Sequence, residues 1–345
     1  MDDKEQRVID FIKEKGECSS KEVFDGAHLP VSYATLKRIL AKLIDRHFLS
    51  AKGKGKGTKY VVSPTYEIIQ PINIDKYYEK EIDDRKIKVG FNFSVITDVL
   101  ASYSVFTEIE LQQLAQLQQL FEKNISLLSS NEYKKELERL SIDLSWKSSQ
   151  IEGNTYSLLE TEKLLKEKET APGKTKEEAI MLLNHKYTLD FIIDNTDYLY
   201  PLTVSKIEDI HSMLVKELGV DRNIRKRRVG ISGTNYRPLE NEFQIAEALQ
   251  NACNVINNKK SVFEKALLAL VLISYIQPFM DGNKRTARIV SNAILMNAGY
   301  CPLSFRTVDS IDYKKAMLLF YEQNNISNFK RIFIEQFDFA VKAYF

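Results

Sequence analysis

The chain has 345 residues, 44% of them hydrophobic, and its 49 Lys or Arg against 47 Asp or Glu leave a formal net charge of only +2. That length and apolar share allow a substantial core and predict two domains joined by a spacer. No run approaches the roughly 18 apolar residues of a membrane span, and the N-terminus MDDKEQRVID is acidic, so a cytoplasmic protein with no membrane partner is expected. Cys18, Cys253 and Cys301 are odd in number, widely spaced and without a zinc-like His pattern, which excludes a disulfide framework and predicts reduced thiols.

In chain order, Val8, Phe11 and Ile12 predict a short amphipathic helix ending at Gly16. Ser19 with Glu22 gives the pattern of a capping box for a second helix, and Leu36, Ile39, Leu40 and Leu43 mark a third. Phe48 and Leu49 lead into KGKGKGT and Lys59 to Val62 reads as a returning strand, which makes the glycine-lysine run a hairpin tip. Residues 1–64 in this order resemble a winged helix-turn-helix. From Val31 to Tyr60 there are eight Lys or Arg against one Asp, so the basicity of a nearly neutral chain is concentrated here. Lys37, Arg38, Lys42 and Arg46 on the third helix, with Lys52, Lys54, Lys56 and Lys59 on the wing, suit phosphate contacts flanking a major groove. The competing reading is a solubilising lysine face on a protein-interaction domain.

Residues 65–100, with Pro71 and the charged run EKEIDDRKIK, read as a spacer that packs in part on the body at 101–345. Phe106 to Leu144 is Leu- and Gln-rich with helical spacing and leads into SSQIEGN, where Ser148 and Glu152, four apart, share a helix face. Glu152 is open to two readings: an ordinary helix-end carboxylate ahead of Gly153, or a carboxylate offered to a cation elsewhere in the fold. His185 and His211 lie in helical segments and read as packing or capping residues. Arg227 to Pro238, RRVGISGTNYRP, alternates Val229 and Ile231 with small residues and turns at Gly233 and Asn235, the pattern of a short hairpin.

Phe263 to Ile276 is apolar on nearly every side and predicts a helix buried all round, ended by Pro278. Gly282 and Asn283 supply a turn and an N-cap, and Lys284 onward resumes helical spacing to Gly299. The fresh helix N-terminus favours an anion, Arg285 and Arg288 project beside it, and Asp281 offers a hard oxygen ligand for Mg²⁺ next to a phosphate. Taken singly, these features fit a solvated arginine face and a turn aspartate equally well.

Their ordered combination, QPFMDGNKRTAR from Gln277 to Arg288, resembles the signature of the Fic family, HxFx(D/E)GN(G/K)RxxR, at every position but the first. The resemblance implies a mainly α, helical-bundle Fic fold with a β-hairpin flap near 227–238, a signature loop at 277–288 and an inhibitory helix near 145–155. It implies that Phe279 anchors the loop, that Asp281 holds Mg²⁺, and that Gly282, Asn283, Lys284, Arg285 and Arg288, with Gly233 and Thr234 of the flap, bind ATP or another nucleotide. By the same resemblance, Ser148 and Glu152 form an inhibitor that pairs with Arg288. Gln277 stands where the family has the histidine that accepts a proton from a target hydroxyl. The reading is therefore a nucleotide-binding regulator or sensor with impaired protein AMPylation, coupled to a DNA-binding domain in which Lys37, Arg38, Lys42, Lys54 and Lys56 touch DNA. Its partners are a nucleotide, DNA, a target protein and a second copy of the chain. The alternative is an active nucleotidyltransferase that uses another base, or, because Lys284 resembles the Doc branch, a phosphotransferase.

Overall fold

The computed structural model describes residues 1–345, the side chain of Lys56 excepted. The N-terminal domain is built from α1 (Asp3–Lys15), β1 (Glu17–Ser19), α2 (Ser20–Gly26), α3 (Tyr33–Asp45), β2 (Leu49–Lys52) and β3 (Lys59–Val62). The three strands form an antiparallel sheet in the order β1-β3-β2, with Tyr60 opposite both Cys18 and Ala51. Local sequence sets the boundaries as expected. Gly16 closes α1 at φ 85°, a conformation costly for a residue with a side chain, and the Ser19–Glu22 capping box opens α2. Val8, Ile12, Leu36, Leu40 and Leu43 are fully buried.

Glu5, 2% exposed, caps α1 and also pairs with Lys42 at 2.6 Å and Arg46 at 3.1 Å on α3. Lys42, expected on the DNA face, is thus turned toward α1 by a buried carboxylate. Lys52 and Lys59 are paired to Glu17 and Glu22. Among the described residues Lys37, Arg38 and Lys54 keep their charges exposed and without an acidic partner, while the side chain of Lys56 lies outside the described residues.

Residues 65–100 run as a strap docked along most of its length. It contains α4 (Tyr66–Ile69), α5 (Ile74–Tyr78) and a π-helical turn at Val95–Leu100. Ile326 N donates to Ile68 O at 2.7 Å, the Asn325 carboxamide donates to Glu67 O and Gln70 O, and Tyr77 Oη donates to the buried Glu322 at 2.7 Å. Tyr66, Ile68 and Ile69 join one apolar cluster that runs from Val8 and Leu40 to Phe320 and Phe329.

The body consists of α6 (Glu108–Ser126), α7 (Ser130–Ile151), α8 (Leu158–Glu167), α9 (Lys176–Asp194), α10 (Val204–Leu214), α11 (Glu242–Asn258), α12 (Val262–Ile276), α13 (Asn283–Asn297), α14 (Ser310–Gln323) and α15 (Ser327–Tyr344). α12 is its axis: every residue from Ala266 to Ile276 is buried, as its all-round apolarity predicts. The hairpin expected at 227–238 does not form a strand ladder. The segment is extended and turns at Ser232–Gly233, but its one bridge is parallel, Arg237 with Gly90 of the strap.

Because Asn325 is fully buried and supplies both strap carbonyls with a donor, Asn325→Ala should cost about 1–3 kcal/mol in urea unfolding at unchanged slope. A variant as stable as the parent would show that the strap is not held at this point.

Candidate nucleotide site

α12 ends where Gln277 adopts a left-handed conformation, φ 52° and ψ 57°, and α13 begins after Gly282, φ 81°. Between them the loop is stapled by Asn283. Its carboxamide accepts from Phe279 N at 2.8 Å and donates to Phe279 O at 2.8 Å and to Gln277 Oε1 at 3.0 Å. Asn283 is therefore the first helical residue and not the N-cap; Gly282 takes the cap position, with no side-chain cap on α13. The leading N–H groups of α13 are left for an external acceptor. Phe279 is fully buried and stacks on His211, centroids 3.7 Å apart and rings 4° from parallel, while His211 Nε2 sits 2.9 Å from Asp281 O. His211 thus holds the loop from behind.

The Gln277 side chain is bonded at both ends. Nε2 donates to Ser274 O at 2.7 Å and to Tyr321 Oη at 3.3 Å, and Oε1 accepts from Asn283. Arg225, missed by the sequence reading, donates from Nε to Gln277 O at 2.7 Å, and its backbone N–H donates to Pro278 O at 2.9 Å.

In front of the loop lies a cavity of about 350 Å³, within the size range of small-molecule sites. Its walls are Ile151 and Glu152 at the end of α7, Gln277, Met280, Asp281, Asn283 and Lys284 of the signature segment, and Lys314, Met317, Leu318 and Tyr321 of α14. Val229 to Ser232 form its roof. Gly233 and Thr234, the flap residues expected to bind nucleotide, fall just outside this lining: Thr234 Oγ1 accepts from Tyr236 N, and Gly233 backs onto Leu318.

Glu152 decides the electrostatics. Its Oε1 accepts from Arg288 Nη2 at 2.9 Å and its Oε2 pairs with Lys284 Nζ at 3.3 Å. Ser148 completes the contact, Oγ accepting from Arg288 Nε and its carbonyl from Arg288 Nη2, both at 2.8 Å. The four-residue spacing of Ser148 and Glu152 on α7 is what lets one guanidinium meet both. Burial alone would raise the Glu152 carboxyl, but Arg288, then Lys284 and Arg285, hold it down at about 2. Arg288 is wholly buried and does not line the cavity, whereas Glu152 does; the carboxylate stands between the two. Arg285, 1% exposed, pairs with Asp281 at 3.1 Å and keeps Nε and Nη1 free of partners. His185 is buried near these arginines, its Nδ1 3.2 Å from Ser145 Oγ; burial, then Arg288 and Arg285, keep its imidazole neutral, well below the ordinary histidine pKa. Asp281 is exposed at the cavity rim, and among the described residues no cluster of three His, Cys, Asp or Glu ligands occurs.

The helical bundle that carries this loop has the Fic fold. The Fic/DOC family matches residues 201–295 and the penicillinase repressor family matches residues 1–87, so the chain carries a Fic/DOC domain behind a DNA-binding-like, winged-helix head. It is 31% identical over 175 residues to the protein adenylyltransferase Fic of Nematostella vectensis, 48% of this chain and 40% of that protein, and 29% identical over 164 residues to the protein of the same name in Aedes aegypti, 44% and 32%. These matches thus span two fifths or less of the curated relatives' length. Among solved structures, Fic-1 of C. elegans superposes with a TM-score of 0.57 at 19% identity, over 68% of this chain and 71% of that one. A Fic family protein from Desulfovibrio desulfuricans gives 0.58 at 17%, over 70% and 74%. These likenesses show the fold.

A carboxyl whose pKa falls on folding stabilises the native state above its unfolded value and loses that contribution as the pH drops through the folded one. The unfolding free energy of the native chain should therefore exceed that of Glu152→Gln by a constant amount above pH 4.5, the gap closing toward pH 2. Urea titrations at a series of pH values measure it, and a gap independent of pH would contradict a charged Glu152–Arg288 pair.

Proposed function

We propose that the body binds a nucleoside triphosphate, ATP in the first instance, and that Glu152 blocks the seat of its distal phosphates. The observation that supports this most directly is the Arg288–Glu152–Lys284 bridge at the wall of a cavity that opens onto the uncapped N-terminus of α13. An anion that displaced Glu152 would gain two cations and the helix N–H groups at once. Asp281 fits Mg²⁺ only as a lone carboxylate, since Mg²⁺ keeps several waters and is completed by phosphate oxygens. When bound, the metal would neutralise charge on the transferred group.

The relatives named protein adenylyltransferases make transfer of AMP to a protein hydroxyl the reaction to consider. Gln277 is unsuited to start it. A carboxamide has no basic lone pair, and here both of its ends are engaged by Ser274, Tyr321 and Asn283. Among the described residues no histidine lines the cavity to replace it. Loss of a general base costs about 10²- to 10⁴-fold, so the body acts as a nucleotide sensor with weak transfer. The head binds duplex DNA through Lys37, Arg38 and the wing, and the shared core makes head and body one regulatory unit.

Calorimetry should find Mg·ATP bound at least about tenfold more tightly by Glu152→Gly than by the native chain, and binding abolished by adding Arg285→Ala. Equal or weaker binding by Glu152→Gly would sink the plugged-site reading. For the head, replacing Lys37 and Lys54 by Glu in the full chain should weaken binding to any duplex and flatten the salt dependence by about one unit of log–log slope per lost phosphate contact. Salt-insensitive or absent binding by the native chain would contradict a DNA-binding head.

A further inference from the structure

The cavity roof lacks the ladder that would normally fix an extended segment, so its position has to come from elsewhere. Arg225 pins its two ends, its guanidinium donating to Arg227 O and Leu239 O. Between them, no backbone-to-backbone hydrogen bond falls on residues 229–235 among the described residues, and Gly233 sits at φ 87°. The outer side of the segment is tied instead to the strap between Asp83 and Val89. Arg85 Nη2 donates to Gly233 O at 2.7 Å, Asn235 Nδ2 donates to Asp83 Oδ1 at 2.9 Å, and Arg237 N donates to Val89 O at 2.7 Å.

Arg85 does more than hold the roof. Its Nη2 also pairs with Glu322 at 3.3 Å, the two side chains 5% and 0% exposed, and its guanidinium lies over the Tyr78 ring at 4.9 Å. Glu322 follows Tyr321, which lines the cavity and bonds Gln277. One buried cation thus touches the strap, the roof and the helix that forms the cavity's far wall.

We infer that Arg85 is the positioning residue of the cavity roof: it sets the distance of Val229–Ser232 from α14 and Lys284, and with it the affinity for a ligand seated beneath. The inference rests on the nucleotide reading of the cavity for the nature of that ligand. It makes the connector to the winged-helix head a component of the binding site, a role no local motif announces. A roof with free backbone groups and glycines on either side of Ile231–Ser232 opens when its outer ties go, because on its inner side only the apolar packing of Ile231 and the Gly233–Leu318 contact remain, with no hydrogen bond among the described residues to replace those ties.

Arg85→Met alone would leave Glu322 as an uncompensated buried charge and lose stability for that reason. The test therefore uses Arg85→Met with Glu322→Gln, which removes both charges while the carboxamide oxygen introduced at that position still accepts from Tyr77. It is paired with Asn235→Ala, which cuts an outer tie without touching the buried pair. Hydrogen exchange on the full chain should show the hydrogen-bonded amides of Tyr236 and Arg237, where the roof meets the strap, exchanging at least about tenfold faster in the double variant, and faster to a smaller degree in Asn235→Ala, with exchange in α12 and α13 unchanged. In a Glu152→Gly background the double variant should bind Mg·ATP about tenfold more weakly. Unchanged roof exchange in both variants overturns the positioning role, and faster exchange with unchanged ATP affinity overturns its bearing on the ligand. If Glu152→Gly binds no ATP at all, the nucleotide reading fails, and the exchange measurement still decides whether Arg85 positions the roof.

Discussion

One carboxylate makes the mouth of this cavity stable. Lys284 and Arg288, a turn apart on α13, would repel each other and leave a buried guanidinium without a counter-charge, and Glu152 answers both from the end of another helix. A buried cation robbed of its partner is strongly destabilising, so the site is held by an anion of the chain or by one from outside. Asp281 plays the same part for Arg285. Glu152 and the signature loop are therefore a single electrostatic unit, and the same contact draws α7 against α13.

Behind that unit, the loop is preorganised by bonds that involve no ligand. Asn283 closes the turn on Phe279, His211 stacks against Phe279 and meets Asp281 O, and Arg225 ties Gln277 O to the base of the roof. Gln277 belongs to this scaffold: its carboxamide completes the Asn283–Tyr321 connection. Its side chain acts as a strut, bonded to Ser274, Tyr321 and Asn283, and these bonds hold the shape of the loop. The strap extends the same scaffold outward, since Glu322, Asn324 and Asn325 spend their polar groups on residues 67–92.

Much of this was legible in the sequence where the signal is local. The all-round apolarity of Phe263–Ile276 gave the axial helix, Ser19 with Glu22 gave a cap, and the spacing of Ser148 and Glu152 pointed to the contact both make with Arg288. What escaped depends on contacts between distant segments. Lys42 looks like a free cation until Glu5 is folded against it. Arg225 and Arg85 carry no motif, because each acts through carbonyls far away in the chain. The alternation of Val229 and Ile231 suggested a hairpin, yet its period is equally satisfied by an extended roof facing a cavity on one side and a strap on the other. Asn283 was misread as a cap because a Gly-Asn turn ahead of a helix has the same composition whether the asparagine bonds forward or back.

In the proposed function the loop is ready to receive a nucleotide and lacks only a base. Labelling with ATP radioactive at the α-phosphate tests it most directly, comparing Glu152→Gly with the same chain carrying Gln277→His as well. The account predicts near-background labelling of protein by the single variant and an increase on the order of 10²-fold or more in the double, the usual worth of a positioned base. Strong labelling by Glu152→Gly alone, or none by a double variant that demonstrably binds ATP, would contradict it.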